Sequence, residues 1–208
     1  MAGHRLHERV WHRLQSEGLL QTLGRAWRAA RRRVLRHVVV PYYGIDLTKA
    51  VPPVAARVPV DFRWATAEEV QTMVRLMPPN EQANERREGR PGDRHWVGVV
   101  NGELAFIVCV SPCREVPPSL RPWVKEPQTA AYLRGAYTLP QHRGAGLLAA
   151  ALCSVFMALA AEGTRYAWAR ARYDNIPSLR SQIKAGMNII GAESYWQVLG
   201  LRCGTEWT

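Results

Sequence analysis

The sequence predicts an α/β fold in which a mixed, mostly antiparallel sheet of about seven strands is flanked by helices. The clearest evidence is a β-hairpin: the strand-like runs His95–Val100 and Glu103–Val110 are separated by Asn101-Gly102, a dipeptide that two-residue hairpin turns prefer. A strand, a tight loop with two glycines and a long apolar helix follow between Tyr132 and Ala161. The predicted order is two strands, this strand–loop–helix unit, a strand with a helix, and two last strands.

The elements ahead of the hairpin open the predicted domain. Val60–Trp64 has the composition of a short first strand. Thr66 and Glu69 have the spacing of a capping box, which predicts a helix that continues to Met77. The polar stretch Pro78–Asp93 predicts a mobile loop or a short helix, and a segment of that kind beside an active site often contacts the substrate.

The elements after the hairpin begin with an irregular stretch, because Ser111–Gln128 contains five prolines. A later helix has Asn175 or Asp174 as its cap, Pro177 in its first turn and Gly186 as its stop. The remaining predicted strands are Thr164–Arg172, Met187–Ala192 and Tyr195–Arg202.

The chain is organised around the strand–loop–helix unit. Pro140 ends the strand because proline cannot donate to a sheet ladder, and the glycines at 144 and 146 let the loop turn sharply. Leu147–Ala161 then forms an apolar helix directly after the loop. Free backbone N–H groups and the positive end of the helix dipole therefore converge, which predicts an anion site that suits a pyrophosphate.

The spacing of this loop separates it from two common phosphate-binding motifs. No Gly-Lys-Ser/Thr ends it, so it is not a Walker loop, and the GxGxxG fingerprint of dinucleotide-binding folds is absent. Gln141-His142-Arg143-Gly144-Ala145-Gly146 instead resembles the acetyl-CoA loop of the GCN5-related N-acetyltransferase (GNAT) family, Q/R-x-x-G-x-G/A. The preceding Leu139-Pro140 and the helix that starts with Asn175-x-x-Ser178 resemble further features of that family.

The resemblance covers about residues 58–203 and implies the GNAT fold, with direct transfer of an acyl group from coenzyme A to an amine. Acetyl-CoA is the expected donor, and neither a metal nor an acyl-enzyme is expected. The pantetheine arm would run along Ala136–Leu139, where the N–H of Tyr137 or Thr138 would polarise the thioester carbonyl. The coenzyme-binding residues that the resemblance implies are Tyr137, Thr138, Leu139, Gln141, His142, Arg143, Gly144, Ala145, Gly146, Leu147, Asn175 and Ser178.

Two positions depart from the family pattern. Gln182 occupies the place where the family usually has a Tyr that protonates the departing thiolate, and Arg170 occupies the place where several members have a Glu base. An Arg at this position could bind a carboxylate or phosphate of the substrate instead. A primary amine with a pKa of about 10.4 must still lose a proton before it attacks. The candidates for proton transfer by position are Glu103, Tyr173, Tyr195, Asp174 and Glu193, with Tyr137 as the residue at the oxyanion.

The net charge of +11 is concentrated at the N-terminus, where residues 1–40 contain nine Arg and two Glu. The spacing of Leu20, Leu23, Trp27 and Val34 predicts a long amphipathic helix over residues 5–40, with Arg on its other face. Such a helix suits an anionic membrane surface, the protein's own core or a second subunit, whereas nucleic acid is the least favoured partner. We therefore expect an N-terminal basic helix with a linker over 1–50 and an acyltransferase domain over 51–208.

The cysteines and the N-terminus also indicate a cellular location, and the resemblance indicates a class of acceptor. The four cysteines, at 109, 113, 153 and 203, have no paired metal spacing, and no signal peptide is recognisable, which indicates a cytoplasmic protein with reduced thiols. Association with the inner membrane face, through the basic helix, is the finer expectation. The acceptor would be a small-molecule amine, an amino sugar or a lipid-linked amine. A non-catalytic acyl-CoA-binding regulator and a protein- or RNA-directed N-acetyltransferase are the alternatives.

Overall fold

The computed structural model describes residues 35–113, 115–198 and 201–207. They form an eight-stranded sheet with the order β2-β3-β4-β5-β6-β1-β7-β8. The strands are β1 Leu35–Asp46, β2 Asp61–Trp64, β3 Arg94–Val100, β4 Glu103–Pro112, β5 Ala130–Thr138, β6 Tyr166–Arg170, β7 Asn188–Val198 and β8 Leu201–Trp207. The helices within these ranges are α1 Ala67–Leu76, α2 Pro79–Glu88, α3 Leu147–Ala161 and α4 Ile176–Lys184.

The predicted mixed sheet is confirmed. Strands β2 to β5 are antiparallel neighbours, as are β6 and β1, whereas β5 and β6 run parallel because α3 connects them. The hairpin of β3 and β4 turns at Asn101 and Gly102, which have φ angles of +51° and +84°. The capping box of α1 is also present, with the Glu69 N–H donating to Thr66 Oγ1 at 3.2 Å.

The eighth strand corrects the prediction for the end of the N-terminal segment. Residues 35–40 were expected to continue the amphipathic helix, but they form the first half of β1. The three consecutive valines at 38 to 40 favour a strand, and β1 pairs with β6 from Tyr42 to Asp46. The remainder of the predicted helix, residues 5–34, lies outside the described residues, and a separate N-terminal domain remains a prediction.

Two segments are also more regular than the sequence indicated. The polar stretch after α1 forms a full helix, α2, in which Pro79 occupies the first turn. The last two strands were predicted to be separated near residue 193, but β7 continues from Asn188 to Val198. Glu193 is a buried carboxylate inside this strand, so its charge does not mark a turn.

The core of the sheet depends on α3. Nine of the fifteen residues of this helix are buried, and Leu147, Val155 and Phe156 each have 2% or less of their surface exposed. Burial of a side chain of this size contributes roughly 1.5–3 kcal/mol. Because α3 follows the glycine loop directly, the packing that stabilises the fold also fixes the position of the loop.

The described residues divide by internal contacts into a smaller unit, residues 35–38 with 194–206, and a larger unit, which includes residues 39–193. In the smaller unit the rings of His37 and Trp196 pack 4.8 Å apart. None of the helices in the described ranges is long and apolar enough to cross a membrane.

Candidate active site

The candidate site begins where two parallel strands separate. Pairing of β5 with β6 ends at Leu133 and Ala169, although β5 continues for five more residues. On the other side of β5, the register with β4 shifts between Ile107 and Cys109, so that one residue of β4 faces Gly135 and Ala136 together. Such a β-bulge bends its strand, which accounts for the divergence of β5 from β6.

A cavity of about 410 Å³ occupies this opening. Helix α2 forms one wall, α3 and α4 form the side nearest the glycine loop, and the ends of β5 and β6 form the floor. Its lining residues are Glu81, Asn84, Glu88, Val108, Tyr132, Leu133, Arg134, Gly135, Ala136, Tyr137, Leu148, Leu152, Ala169, Arg170, Ala171, Arg172, Asn175, Ser178 and Gln182.

The glycine loop has the geometry of an anion site. Gly144 and Gly146 have φ angles of +82° and +76°, which side chains other than glycine rarely adopt. A Cβ atom at either position would meet no atom within 4 Å, so the space in front of the loop is open. Gly146 caps α3 without a side-chain hydrogen bond, and the first N–H groups of a helix have no partner inside the helix. The residues present therefore fit a pyrophosphate.

The loop is held by backbone hydrogen bonds on both sides. Leu139 N–H donates to Ala105 O at 2.9 Å, and Arg57 N–H donates to Ala145 O at 2.8 Å. The side chain of Arg143 folds back towards β5, where its Nε donates to Thr138 O at 3.3 Å. Consequently the loop is fixed to the sheet on one side and to the segment before β2 on the other.

The start of α4 also lines the cavity. Asn175 caps this helix, and its side-chain oxygen accepts from the Ser178 N–H at 3.4 Å. Gln182 is 4% exposed, and its Nε2 donates to Ser178 Oγ at 3.1 Å. Its Oε1 is buried without a hydrogen-bond partner among the described residues. An amide in this position can orient a neighbouring group but cannot supply a proton.

The end of β6 places a guanidinium in the cavity wall. Arg170 lies 3.9 Å from Glu193 Oε1, and the hydroxyl of Tyr42 donates to Glu193 Oε2 at 2.9 Å. Burial, followed by the hydrogen bond to Glu193, raises the pKa of Tyr42. Tyr132 stacks on Trp168 with ring centroids 4.1 Å apart, and burial raises the pKa of Tyr132 as well.

A buried ionic network fastens α2 to the sheet. Arg134 is paired with Glu85 of α2 at 3.0 Å and with Asp93, and its Nε donates to Ser111 Oγ at 3.3 Å. His95 Nε2 lies 3.0 Å from Glu85 Oε1, and this hydrogen bond is the main cause that lowers the pKa of Glu85. Burial opposes ionisation of Asp93, but hydrogen bonds from Ser111 and neighbouring donors keep the pKa of Asp93 below its usual value. The network thus fixes the helix that forms one cavity wall.

Sequence reasoning did not identify this network. Its only signal was the presence of His95 and Arg134 within strands that are otherwise mostly apolar. Glu85, His95 and Cys109 also bring three potential metal-ligand atoms within 4.8 Å of one another. Arg134 already supplies a positive charge there, and burial raises the pKa of Cys109 to about 12, so its thiol remains protonated. The expectation that no metal is bound stays a prediction.

The predicted catalytic residues, which are Tyr137 at the oxyanion and the five candidates for proton transfer, lie in different surroundings. Tyr137 lines the cavity. Glu103 is exposed at the hairpin turn, and Tyr173 is 51% exposed outside the lining of the cavity. Asp174 is paired with Arg172 through two contacts of 3.0 and 2.6 Å. Tyr195 belongs to the smaller unit, and Glu193 lies behind Arg170. Their catalytic roles remain predictions.

The fold is similar to that of solved GCN5-related N-acetyltransferases. The enzyme from Kribbella flavida has a TM-score of 0.52 and 16% identity, over 86% of this chain and 63% of its own. The one from Sphaerobacter thermophilus has a TM-score of 0.55 and 16% identity, over 86% and 57%. The glucosamine N-acetyltransferase region of a fungal multi-domain beta-N-acetylglucosaminidase has a TM-score of 0.55 and 12% identity, over 83% and 22%.

No family model and no curated protein matches the chain. The chain spans less than two thirds of the length of each of the three solved proteins. At identities of 12–16%, the structural similarity shows the fold alone, and the activity has to be argued from the site. The protein therefore has the GNAT fold, as its glycine loop indicated.

Proposed function

We propose that the protein is an acyl-CoA-dependent N-acyltransferase that transfers an acyl group, with acetyl as the expected one, directly to an amine. The observation that carries this proposal is the cavity between the diverging ends of β5 and β6, directly beside an open glycine loop at the start of a buried helix. The cavity gives access to an unpaired strand edge, and the loop offers an anion site. Together they suit a long substrate with a pyrophosphate at one end.

Coenzyme A would be held by the backbone more than by side chains. The N–H groups from His142 to Leu147 would receive the pyrophosphate, with Gln141 and Arg143 beside it. Asn175 and Ser178 would contact the coenzyme from α4. The edge of β5 from Tyr137 to Leu139 would hydrogen-bond the pantetheine arm as an added strand does. When bound, the thioester of acyl-CoA supplies an activated acyl group.

The backbone of β5 would then supply the electrostatic part of catalysis. An N–H of Tyr137 or Thr138 would donate to the carbonyl oxygen of the acyl group, where negative charge develops during attack by the amine. A donor fixed in a strand needs no reorganisation during the reaction. The amine must arrive neutral, and making it neutral at pH 7 costs roughly 4–5 kcal/mol for a pKa of about 10.4.

Because Gln182 occupies the place where the family usually has a tyrosine, proton transfer has to use other residues. Tyr137, for which the sequence predicted a backbone role, also lines the cavity, so its hydroxyl is our first candidate to protonate the departing thiolate. The candidates predicted by position for the acid or the base are Tyr173, Tyr195, Glu103, Asp174 and Glu193. Transfer through water is the remaining route, since a cavity of this size has room for several waters.

The acceptor is proposed to be a small-molecule amine, an amino sugar or a lipid-linked amine in the cytoplasm. One solved protein with a similar fold, a fungal beta-N-acetylglucosaminidase, contains a glucosamine N-acetyltransferase region. An amino sugar as the acceptor agrees with that similarity. An anionic membrane surface or a second subunit is proposed as the partner of the basic N-terminal segment, of which residues 5–34 lie outside the described residues. Nucleic acid remains the least favoured partner.

A non-catalytic acyl-CoA-binding regulator is the second candidate, because Gln182 cannot supply a proton and Arg170 cannot act as a base. Release of free thiol from acetyl-CoA, measured with pooled amines at fixed protein concentration, separates the two. We expect amine-dependent thiol release that increases with pH, since deprotonation of the amine assists attack. Tight coenzyme binding without amine-dependent release would identify the regulator instead.

A further inference from the structure

Arg170 stands at the point where the two parallel strands separate. It is the last residue of β6 and directly follows Ala169, the last residue that pairs with β5. Its side chain lines the cavity and is 42% exposed. The guanidinium therefore faces the space in which an acceptor would meet the acyl group.

The guanidinium has two neighbours, the carboxylate of Glu193 and the hydroxyl of Tyr132, with which it shares a side-chain hydrogen bond, and these use only part of its five N–H donors. Glu193, whose side chain is 4% exposed, approaches it to 3.9 Å, a distance longer than a hydrogen bond. Glu193 is itself fixed by the Tyr42 hydroxyl at 2.9 Å. This buried carboxylate holds the positive charge in place, while the flat donor fork of Arg170 stays suited to a second, bidentate partner.

The next arginine along the chain has a different environment. Arg172 also lines the cavity, but Nε and Nη2 of its guanidinium both bond to Asp174, at 3.0 and 2.6 Å. Its charge is thus balanced by a close, two-point ion pair. The ion pair of Arg170 is looser, with Glu193 Oε1 3.9 Å away, so its guanidinium keeps N–H donors for a further partner.

Helix α2 contributes two carboxylates to the lining of the same cavity. Glu81 and Glu88 of α2 line the cavity, and Glu88 is close enough to Arg170 to stabilise its positive charge. A ligand that has both an ammonium group and an oxyanion would complement both walls at once. A ligand with amines alone would leave Arg170 facing a positive group, which is unfavourable in a partly enclosed site.

We propose that the acceptor is an amine that also carries an oxyanion, a carboxylate or a phosphate, and that Arg170 binds this oxyanion. The proposal rests on the proposed acyltransferase function. Arg170 would orient the acceptor so that its amine points along β5 towards the acyl group. A residue used in this way determines specificity and would leave coenzyme binding unaffected.

Matched acceptor pairs test this proposal in the full-length protein. Glucosamine 6-phosphate is compared with glucosamine, and glycine with glycinamide, by acetyl-CoA-dependent thiol release. We expect the oxyanion member of one pair to have a kcat/KM at least about tenfold higher, as a charged hydrogen bond provides. The phosphate pair and the carboxylate pair distinguish the two oxyanions.

Variants assign that preference to Arg170. R170Q should lower kcat/KM for the oxyanion member at least about tenfold more than for the uncharged member, and R170K should restore only part of the preference because lysine lacks the planar fork. R165Q is the matched control, since Arg165 is exposed and paired with Glu126 at 2.9 Å. R170Q/E193Q also removes the buried carboxylate, so a loss that persists in this variant is not due to an unbalanced charge at Glu193.

Three outcomes would overturn the assignment: equal kcat/KM within both pairs, an equal effect of R170Q on both members, or no turnover of any member by a protein that does release thiol with pooled amines. Failure of acetyl-CoA binding in calorimetry, or binding without thiol release from any of the pooled amines, would instead contradict the proposed function. The two failures are therefore distinguished by measurements that do not involve the matched pairs.

Discussion

Leu133 of β5 and Ala169 of β6 are the last pair of residues at which these two parallel strands meet. Beyond this pair, the edge of β5 that faces β6 has no strand partner in the described structure, and Arg170 turns into the cavity. The β-bulge that Gly135 and Ala136 form against one residue of β4 is the physical cause of the separation of β5 from β6. One irregularity in strand pairing thus creates both the cavity and a strand edge that an extended ligand could use.

The glycine loop provides the most direct test of the coenzyme site. Gly146→Glu would add a carboxylate in the open space before the loop, where it would repel a pyrophosphate and occupy its place. We expect acetyl-CoA binding, measured by calorimetry, to weaken at least about tenfold. Unchanged affinity in a folded variant would mean that the coenzyme binds elsewhere.

A control at the other end of α3 isolates this effect from backbone strain. Gly163 has a φ angle of +88°, and a Cβ there would also meet no atom within 4 Å. Gly163→Glu therefore introduces a similar strain and the same charge at the C-terminal end of the helix. Its melting temperature should decrease about as much as that of Gly146→Glu, while acetyl-CoA affinity should stay near that of the parent protein.

The role of Tyr137 is tested by removal of its hydroxyl alone. If this hydroxyl protonates the thiolate, Tyr137→Phe should lower kcat roughly 10²–10⁴-fold with little change in coenzyme affinity. Gln182→Ala should leave the pH profile of kcat unaltered, because an amide does not titrate. Full activity of Tyr137→Phe, Tyr173→Phe and Tyr195→Phe would show that the thiolate departs unassisted or through water.

Local sequence signals predicted the parts of the fold that depend on neighbours in the chain. The capping box of Thr66 and Glu69, the Asn101-Gly102 turn and the Asn175 cap were all identified and are all present. The glycine loop belongs to the same group, since its positive φ angles and its position before α3 require specific residue types. Each of these features is determined within about six residues.

Long-range pairing could not be predicted in the same way. Leu35–Asp46 forms a strand because it lies between β6 and β7, whereas the helical spacing of apolar residues farther upstream led to the prediction of a helix as far as residue 40. The network of Arg134 with Glu85 and Asp93 joins residues 49 and 41 positions apart. Nothing local marks those residues as partners, so the ion pairs that fix α2 become visible only in the structure.

Removal of Arg134 should reveal how strongly this network holds α2. Arg134 is 3% exposed, and Arg134→Met would leave the buried carboxylates of Asp93 and Glu85 without their cation. We expect a loss of about 3–5 kcal/mol in the free energy of unfolding at pH 7, measured with urea. Without the arginine, burial raises the pKa of both carboxyl groups in the folded state, so the deficit should shrink as the pH falls and they are protonated. A deficit that does not change with pH would attribute the loss to packing.

A partly exposed ion pair should show a pH dependence of the same direction but of smaller size. Hydrogen bonds from Arg63, followed by those from Thr66, lower the pKa of Glu69 from 4.5 to about 2. A lowered folded-state pKa stabilises the protein above the unfolded value, and this contribution is lost as the pH falls from about 4.5 towards 2. Glu69→Gln keeps the capping box but removes the charge, so it should cost about 1 kcal/mol at pH 7 and almost nothing near pH 2. The measurement is urea unfolding at both pH values.

Deletion of residues 1–34 distinguishes the proposed partners of the basic N-terminal segment. The deletion ends immediately before β1, so every described strand is retained. If Leu20, Leu23 and Trp27 face lipid, the shortened protein should remain folded and bind acetyl-CoA. The full-length protein should sediment with anionic vesicles, and less so in high salt, because attraction by arginine is screened within about 10 Å at 0.1 M salt.

If these side chains instead pack on the protein, each contributes roughly 1.5–3 kcal/mol, and their loss would remove much of a typical domain's stability. A shortened protein that melts far lower, together with a full-length protein that ignores vesicles, would exclude the membrane role.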